Sequence, residues 1–534
     1  MWGIPNRSRG RDAARRRWCR AVWAGLCLAG VAQAHAPPAA SPGDAVAAAL
    51  RAHVAVLASD EFGGREPGTI GEARTLRYIA RQFFDLGLVS GTNDPGHPWF
   101  APVDVIARAP ATSTAWFRRG SRQLAVPQSD MLVLTSGQRA LVEGAPLYFV
   151  GRGAGLPPPR TELAGRIVLL LDGTADKPAA PPPGSAGTSG EGPGVNARQN
   201  ALLAAGASAV LTVLDGDRTI ATVAARRWRE AYALAGAPLG GDLEAFVSAP
   251  AMDRLMAWSG GSLAALEHEA ERPDFAPHLL DLSASLEATT REHVIHTHNV
   301  IARLPGRDRK AGAVLVLAHW DHFGTCARLP APHLICNGAI DNASGVAAMI
   351  EIARQITHPD GAPPAHPPLL DRDVYFLATT AEEKGLLGAE AFAENPPLPL
   401  GDVVAAFNLD SVAIAPAGSA VGVVGWGKTS LDAGIAQVAR DIGVKLNPAP
   451  WPNDYIRRQD GWALIAHDVP AVMASTAYGA PEPLLRFFDG DYHKPGDVLK
   501  PGVEFGGAVQ DVAFNAALVR WFADARHEPL PADH

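Results

Sequence analysis

At 534 residues, with 47% apolar and 19% charged residues, the chain is long enough for more than one hydrophobic core and has the composition of a globular protein. Its 47 basic and 55 acidic residues leave a formal charge of −8, which argues against broad charge-driven binding to nucleic acid or anionic lipid.

The first 34 residues read as an export signal. Seven arginines and one aspartate precede the apolar run Ala21 to Ala32, and Ala32-Gln33-Ala34 offers a cleavage site. Roughly 12 apolar residues fall short of the ~20 needed to cross a membrane. Arg15 to Arg17 before Trp18 loosely suggest a twin-arginine signal. Without this segment the charge is −14, and the expected location is a bacterial periplasm or the extracellular space, with no membrane attachment. Cys19 and Cys27 leave with the signal. Cys326 and Cys336 remain, and an oxidising compartment favours their pairing over thiolate metal ligation. Such a short closed loop contributes about 2–3 kcal/mol.

A Pro-rich tether, Pro37 to Gly43, leads into a helix over Asp44 to Leu57. A second helix carries Leu76, Ile79, Ala80, Phe83 and Leu86 on one face and stops at Gly87. From Met131 the character changes. Strands are expected at Leu141–Val150, Arg166–Leu171 and Ala209–Leu214, with a helix at Asn196–Gly206 and a Pro/Gly/Ser loop at Lys177–Gly194. Residues 131–250 hold no convergent cluster of His, Cys and acidic residues and read as an inserted binding or lid domain. The flanking parts, 44–130 and 251–530, form the main domain.

Arg291 to Arg303 returns to strand character, and its His293, His296 and His298 read as polar surface. Thereafter strands at Val314–Ala318, Val374–Thr379, Val403–Leu409, Val421–Val424 and Ala471–Ala474 alternate with helices such as Ala343–Ile356 and Leu386–Glu394. This alternation predicts an α/β fold, a mostly parallel, mixed central sheet with helices on both faces.

Ligand-type side chains recur just past these apolar strands: His319 and Asp321, then Glu382 and Glu383, then Asp410, with Asp341 opening a helix. In an open α/β sheet the carboxyl edge is where ligands bind. Two close zinc ions are well served by one shared carboxylate plus one histidine and one carboxylate each, so a further histidine is required late in the chain. His493 in Asp491-Tyr492-His493-Lys494-Pro495-Gly496-Asp497 is the best candidate. No G-x-S-x-G elbow, P-loop or dinucleotide fingerprint is present.

AHWDHFG, GAIDNASGVA, TTAEEKGLLGAEAF, AFNLDSV and DYHKPGD, in that order, resemble the five motif blocks of the M28 family of zinc peptidases. The stretch TELAGRIVLLLDG resembles the protease-associated domain often inserted in that family. The resemblance implies two Zn²⁺ per chain, one held by His319, Asp341 and Asp410 and one by Asp341, Glu383 and His493, with Asp341 bridging. It implies Glu382 as general base and acid, Asp321 as the carboxylate orienting His319, and Tyr492 either as an oxyanion donor or as packing beneath the site. The expected activity is release of N-terminal residues from peptides with a free N-terminus. The alternatives are a carboxypeptidase using Arg457 and Arg458, a single-zinc glutaminyl cyclase, and a non-catalytic receptor. Arg458-Gln459-Asp460-Gly461-Trp462 departs from the family pattern, so Trp462 suggests an altered pocket wall.

Overall fold

The computed structural model describes residues 42–153, 156–172, 193–215, 218–237, 243–359 and 370–527. The export signal, most of the tether and the Pro/Gly/Ser loop up to residue 192 lie outside the described residues.

One part of the sheet runs, in spatial order, Gly422–Val424, Ala471–Ser475, Val403–Asn408, Ala313–His319, Asp373–Thr379 and the end of the long strand His278–Leu304. The four inner strands are mutually parallel, while Gly422–Val424 and His278–Leu304 close the two sides antiparallel. Ala313–His319 shows why the inner strands are continuous apolar runs. Its side chains alternate between faces, and both faces are covered. Val314, Val316 and Ala318 pack under the helices Pro42–Leu57, Ile70–Asp85, Gly345–Thr357 and Gly506–Phe522. Ala313, Leu315 and Leu317 pack against Phe392 and Leu464 of Leu387–Glu394 and Gly461–Ala466 on the other face.

The same sheet continues into a second core. The strand His278–Leu304 is far longer than the Arg291–Arg303 expectation, and its partner Phe100–Arg119 had no counterpart in the sequence reading. Leu282, Ala284, Leu286 and Ala288 join a core made with Arg139–Phe149, Ile167–Leu171, Ala209–Leu214 and Leu243–Ser248. Val300, Ala302 and Leu304 of the same strand belong to the main core. Between them Arg291–Asn299 pairs with Ala101–Ala109 as a ribbon. The three histidines lie on it, His296 against Asp104 at 2.7 Å, His298 against Glu72 at 3.1 Å and His293 3.9 Å from Glu230. The second core draws on residues from Ala115 to Ala288, wider than 131–250.

One buried carboxylate in the main core makes stability depend on pH. Asp511 of Gly506–Phe522 accepts hydrogen bonds from the Thr476 amide (2.7 Å), the Ser475 hydroxyl (2.8 Å) and the Thr476 hydroxyl (3.0 Å). Burial outweighs these donors and pushes its pKa up to about 7. Unfolded, it ionises near pH 3.9. Between about pH 4 and 7 the folded chain therefore keeps a proton that the unfolded chain has lost, and stability falls as pH rises through that window. Relative to the native protein, Asp511→Asn should gain in Tm from pH 4.5 to 7.5. A pH-independent difference would contradict this.

Candidate metal centre

Three strand ends deliver the site. His319 is the last residue of Ala313–His319, Glu382 and Glu383 follow Asp373–Thr379, and Asp410 follows Val403–Asn408. Asp341 comes from a wide turn, Ala339–Ser344, so the following helix begins at Gly345 rather than Ala343. Two side chains hold that turn. Asp497 accepts from the amides of Ile340 (2.9 Å) and Asp341 (3.0 Å). Asn342 donates to the Leu409 carbonyl (2.9 Å) and accepts from the Ser411 amide (3.2 Å), tying the Asp341 turn to the Asp410 loop.

The backbone is strained around this centre. Ala381, Ser411 and His493 all sit in the left-handed region, with φ of 51°, 53° and 57°. Each costs on the order of 1 kcal/mol for a non-glycine residue and persists only where the surroundings impose it.

Asp341 faces two ways. One oxygen lies 3.3 Å from His319 Nε2 and the other lies 3.2 Å from His493 Nε2. His319 Nε2 is also 3.7 Å from Asp410 and 4.0 Å from Glu382, and His493 Nε2 is 3.1 Å from Glu383. Both Nε2 atoms are buried and make no well-directed hydrogen bond. Zn–N and Zn–O bonds of about 2.1 Å in a tetrahedron put ligand atoms roughly 3.4 Å apart, which matches these separations. The residues therefore fit a pair of zinc ions sharing Asp341. His319, Asp341 and Asp410 form one group of potential metal-ligating atoms within 4.8 Å of one another, and His322, Asp341 and Glu383 form another.

Negative charge is in excess here. Burial and the neighbouring Glu383, Asp460 and Asp410 hold the Glu382 carboxyl well above its ordinary range, against the pull of His319. Burial also works to raise Asp341, but His319 and His493 hold it well below. Burial opposes charge on His493, yet Glu383 and Asp341 push its pKa up to about 10. A cation is what such a cluster lacks.

Several placements differ from expectation. Asp321 does not orient His319 through its carboxylate. His319 Nδ1 lies 3.2 Å from the main-chain oxygen of Asp321 and 3.9 Å from its carboxylate, which instead accepts from the Glu382 amide at 3.1 Å. Two residues after a strand end, main chain reaches the imidazole first, and the carboxylate positions the neighbouring glutamate. Tyr492 stacks on the His493 ring, centroids 3.6 Å apart, and packs on Phe487 and Phe488. Its hydroxyl accepts from Arg458 at 3.4 Å. Arg457 lies over the Trp462 ring at 4.8 Å, and Asp460 accepts from the Thr379 hydroxyl.

His322 had no assigned part in the sequence reading. It is fully buried, with Nδ1 2.5 Å from Glu383. The repeat of histidine three residues after His319 was the available signal. Cys326 and Cys336 face each other sulfur to sulfur, with Cα atoms 5.7 Å apart, in the loop between His319 and Asp341. Among the described residues no helix is long and apolar enough to cross a membrane.

The two groups of ligand-type atoms share Asp341 and lie at the carboxyl edge of a mixed α/β sheet, the edge at which open α/β sheets keep their ligand sites. Residues 299–511 match the model of peptidase family M28. Over 88 residues the chain is 35% identical to a vacuolar membrane protease of Pyricularia oryzae, covering 16% of this chain and 7% of that one. Over 101 residues it is 32% identical to a vacuolar membrane protease of Yarrowia lipolytica, covering 18% and 8%. The match thus spans less than a tenth of either relative. Among solved structures, an aminopeptidase from Aneurinibacillus sp. strain AM-1 aligns over 89% of this chain and 92% of its own, at 19% identity and a TM-score of 0.48.

Proposed function

We propose that the chain is an exported di-zinc aminopeptidase. The observation that carries this reading is Asp341, which offers one oxygen toward His319 and the other toward His493 with Glu382 alongside. His319, Asp341 and Asp410 would hold one ion, and Asp341, Glu383 and His493 the other. Zinc bound there would supply Lewis acidity to the attacking water and the scissile carbonyl. Glu382 takes the proton from that water and returns it to the leaving amine. Asp321 keeps the Glu382 main chain in place through its amide. The Tyr492 hydroxyl, fixed by Arg458, is the proposed donor to the developing oxyanion. His322 steers Glu383 by its Nδ1 contact.

The free amine of the substrate belongs against this carboxylate-rich centre. One observation favours a second reading, a carboxypeptidase. Arg458, stacked over Tyr455 and Phe488, carries a guanidinium beside Tyr492, where a substrate carboxylate could pair with it. The deciding experiment compares one short peptide with a free and with an acetylated N-terminus. An aminopeptidase loses the acetylated substrate; continued cleavage of it from the C-terminal end establishes the second reading. Export and a Cys326–Cys336 disulfide belong to the same proposal, as does a protease-associated-like module around residues 131–250 that takes no part in the chemistry.

A further inference from the structure

We infer that Arg65, which lies outside the segment matched to the family, is a positioning residue for the metal centre, holding the main chain at both ends of the loop that joins His319 to Asp341. This inference rests on the metal reading above. Arg65 is fully buried and follows the end of the first helix, Pro42–Leu57, by eight residues. Its guanidinium donates only to main-chain carbonyls among the described residues. Nε reaches the oxygen of Trp320 at 2.7 Å, and Nη2 that of Gly338 at 2.8 Å. Nη1 serves both Asn337 and Leu57, the latter at 3.0 Å.

Those acceptors are placed where they matter. Trp320 lies between His319 and Asp321, and Gly338 lies three residues before Asp341. One planar group thus ties both approaches to the site onto the first helix. The main chain of Arg65 adds to this, because its own carbonyl accepts from the His322 amide at 3.3 Å. The close approach is permitted by Gly64, where a Cβ would lie 2.4 Å from the Cys336 carbonyl oxygen.

The chemistry requires arginine. Five N–H donors on a rigid fork can serve separate chain segments at once, whereas a lysine ammonium concentrates three donors at one point. The buried charge is balanced through space. Burial lowers the guanidinium pKa to about 10, opposed by Asp497, Asp341, Asp321 and Glu383, so the group stays cationic at neutral pH beneath a cluster of carboxylates. Arg65 touches neither substrate nor metal. It acts through the loop.

The test uses the full chain and zinc itself. Zinc affinity is measured by competition with a chromophoric chelator for the native protein, Arg65→Lys, and Leu50→Ala, a core truncation in the same hydrophobic cluster. Arg65→Lys should weaken zinc at least tenfold, while Leu50→Ala lowers Tm but keeps zinc affinity within about twofold. Equal zinc affinity in native protein and Arg65→Lys overturns the inference. A native protein that binds no zinc overturns the metal reading instead, and this inference with it. A second measurement needs no variant. Because coupling is reciprocal, stripping zinc from the native protein should speed amide exchange in residues 62–66 together with 319–322 and 337–343. Acceleration of the latter two without the first would also overturn it.

Discussion

Glu382→Gln will lower kcat by about a thousandfold, within the roughly 10²–10⁴ that a positioned general base contributes, while zinc content stays at the native value. The two halves of that result come from different parts of the geometry. Glu382 stands 4.0 Å from His319 Nε2, farther than Asp341 or Asp410, so its loss leaves the ligand set in place. Its amide is held by Asp321 whatever the side chain is, so the backbone of the loop should not move. The glutamine is nearly isosteric and cannot accept the proton from water. Rates measured at saturating substrate, with zinc counted per chain by atomic emission, decide the matter. Activity equal to native would remove Glu382 from the mechanism, and loss of zinc would make it a ligand.

Asp341→Ala should have the largest effect of any single change, abolishing activity and bringing zinc below one ion per chain. Each proposed ion has Asp341 as the neighbour that connects its histidine to its own carboxylate, so the substitution opens both sites together. Calorimetry separates this from simple misfolding. In the native protein zinc binds the folded state and raises stability by RT ln(1 + [L]/Kd), about 2.7 kcal/mol at a hundredfold excess over Kd. Asp341→Ala should lose that zinc-dependent rise in Tm. Without zinc it should still unfold cooperatively, at a lower Tm than the native protein, because the carboxylate that His319 and His493 hold well below its ordinary range is gone and both imidazoles lose their partner. Two bound ions in the variant would refute the bridging role.

The ligand-type residues were legible because of what a parallel strand is. Ala313–His319, Asp373–Thr379 and Val403–Asn408 are buried on both faces, so each reads as an apolar run, and the first polar residues beyond it fall on one common edge. Residue type and nearness to a strand end were enough to select His319, Glu382, Glu383 and Asp410. Asp341 was found by its place before a helix, although the intervening turn delays that helix to Gly345.

Other features depend on contacts between segments distant in the chain. The long strand His278–Leu304 contributes to two cores, and its exposed middle, with His293 and His296, hides that continuity from any local pattern. Phe100–Arg119 is interrupted by Pro102 and Pro110 and gains its strand character by pairing with that partner.

The sequence by itself determined the alternating α/β architecture and which side chains stand at the carboxyl edge, because periodicity and burial are local consequences of residue order. Only the tertiary structure decided that Asp341 divides its oxygens between two histidines, that the Asp321 carboxylate accepts from the Glu382 amide, that Arg65 donates to the carbonyls of Trp320 and Gly338, and that His322 lies against Glu383. Those are matters of direction over a few ångströms. They depend on how the strand ends, the Ala339–Ser344 turn and the first helix pack against one another, which no residue's identity states alone.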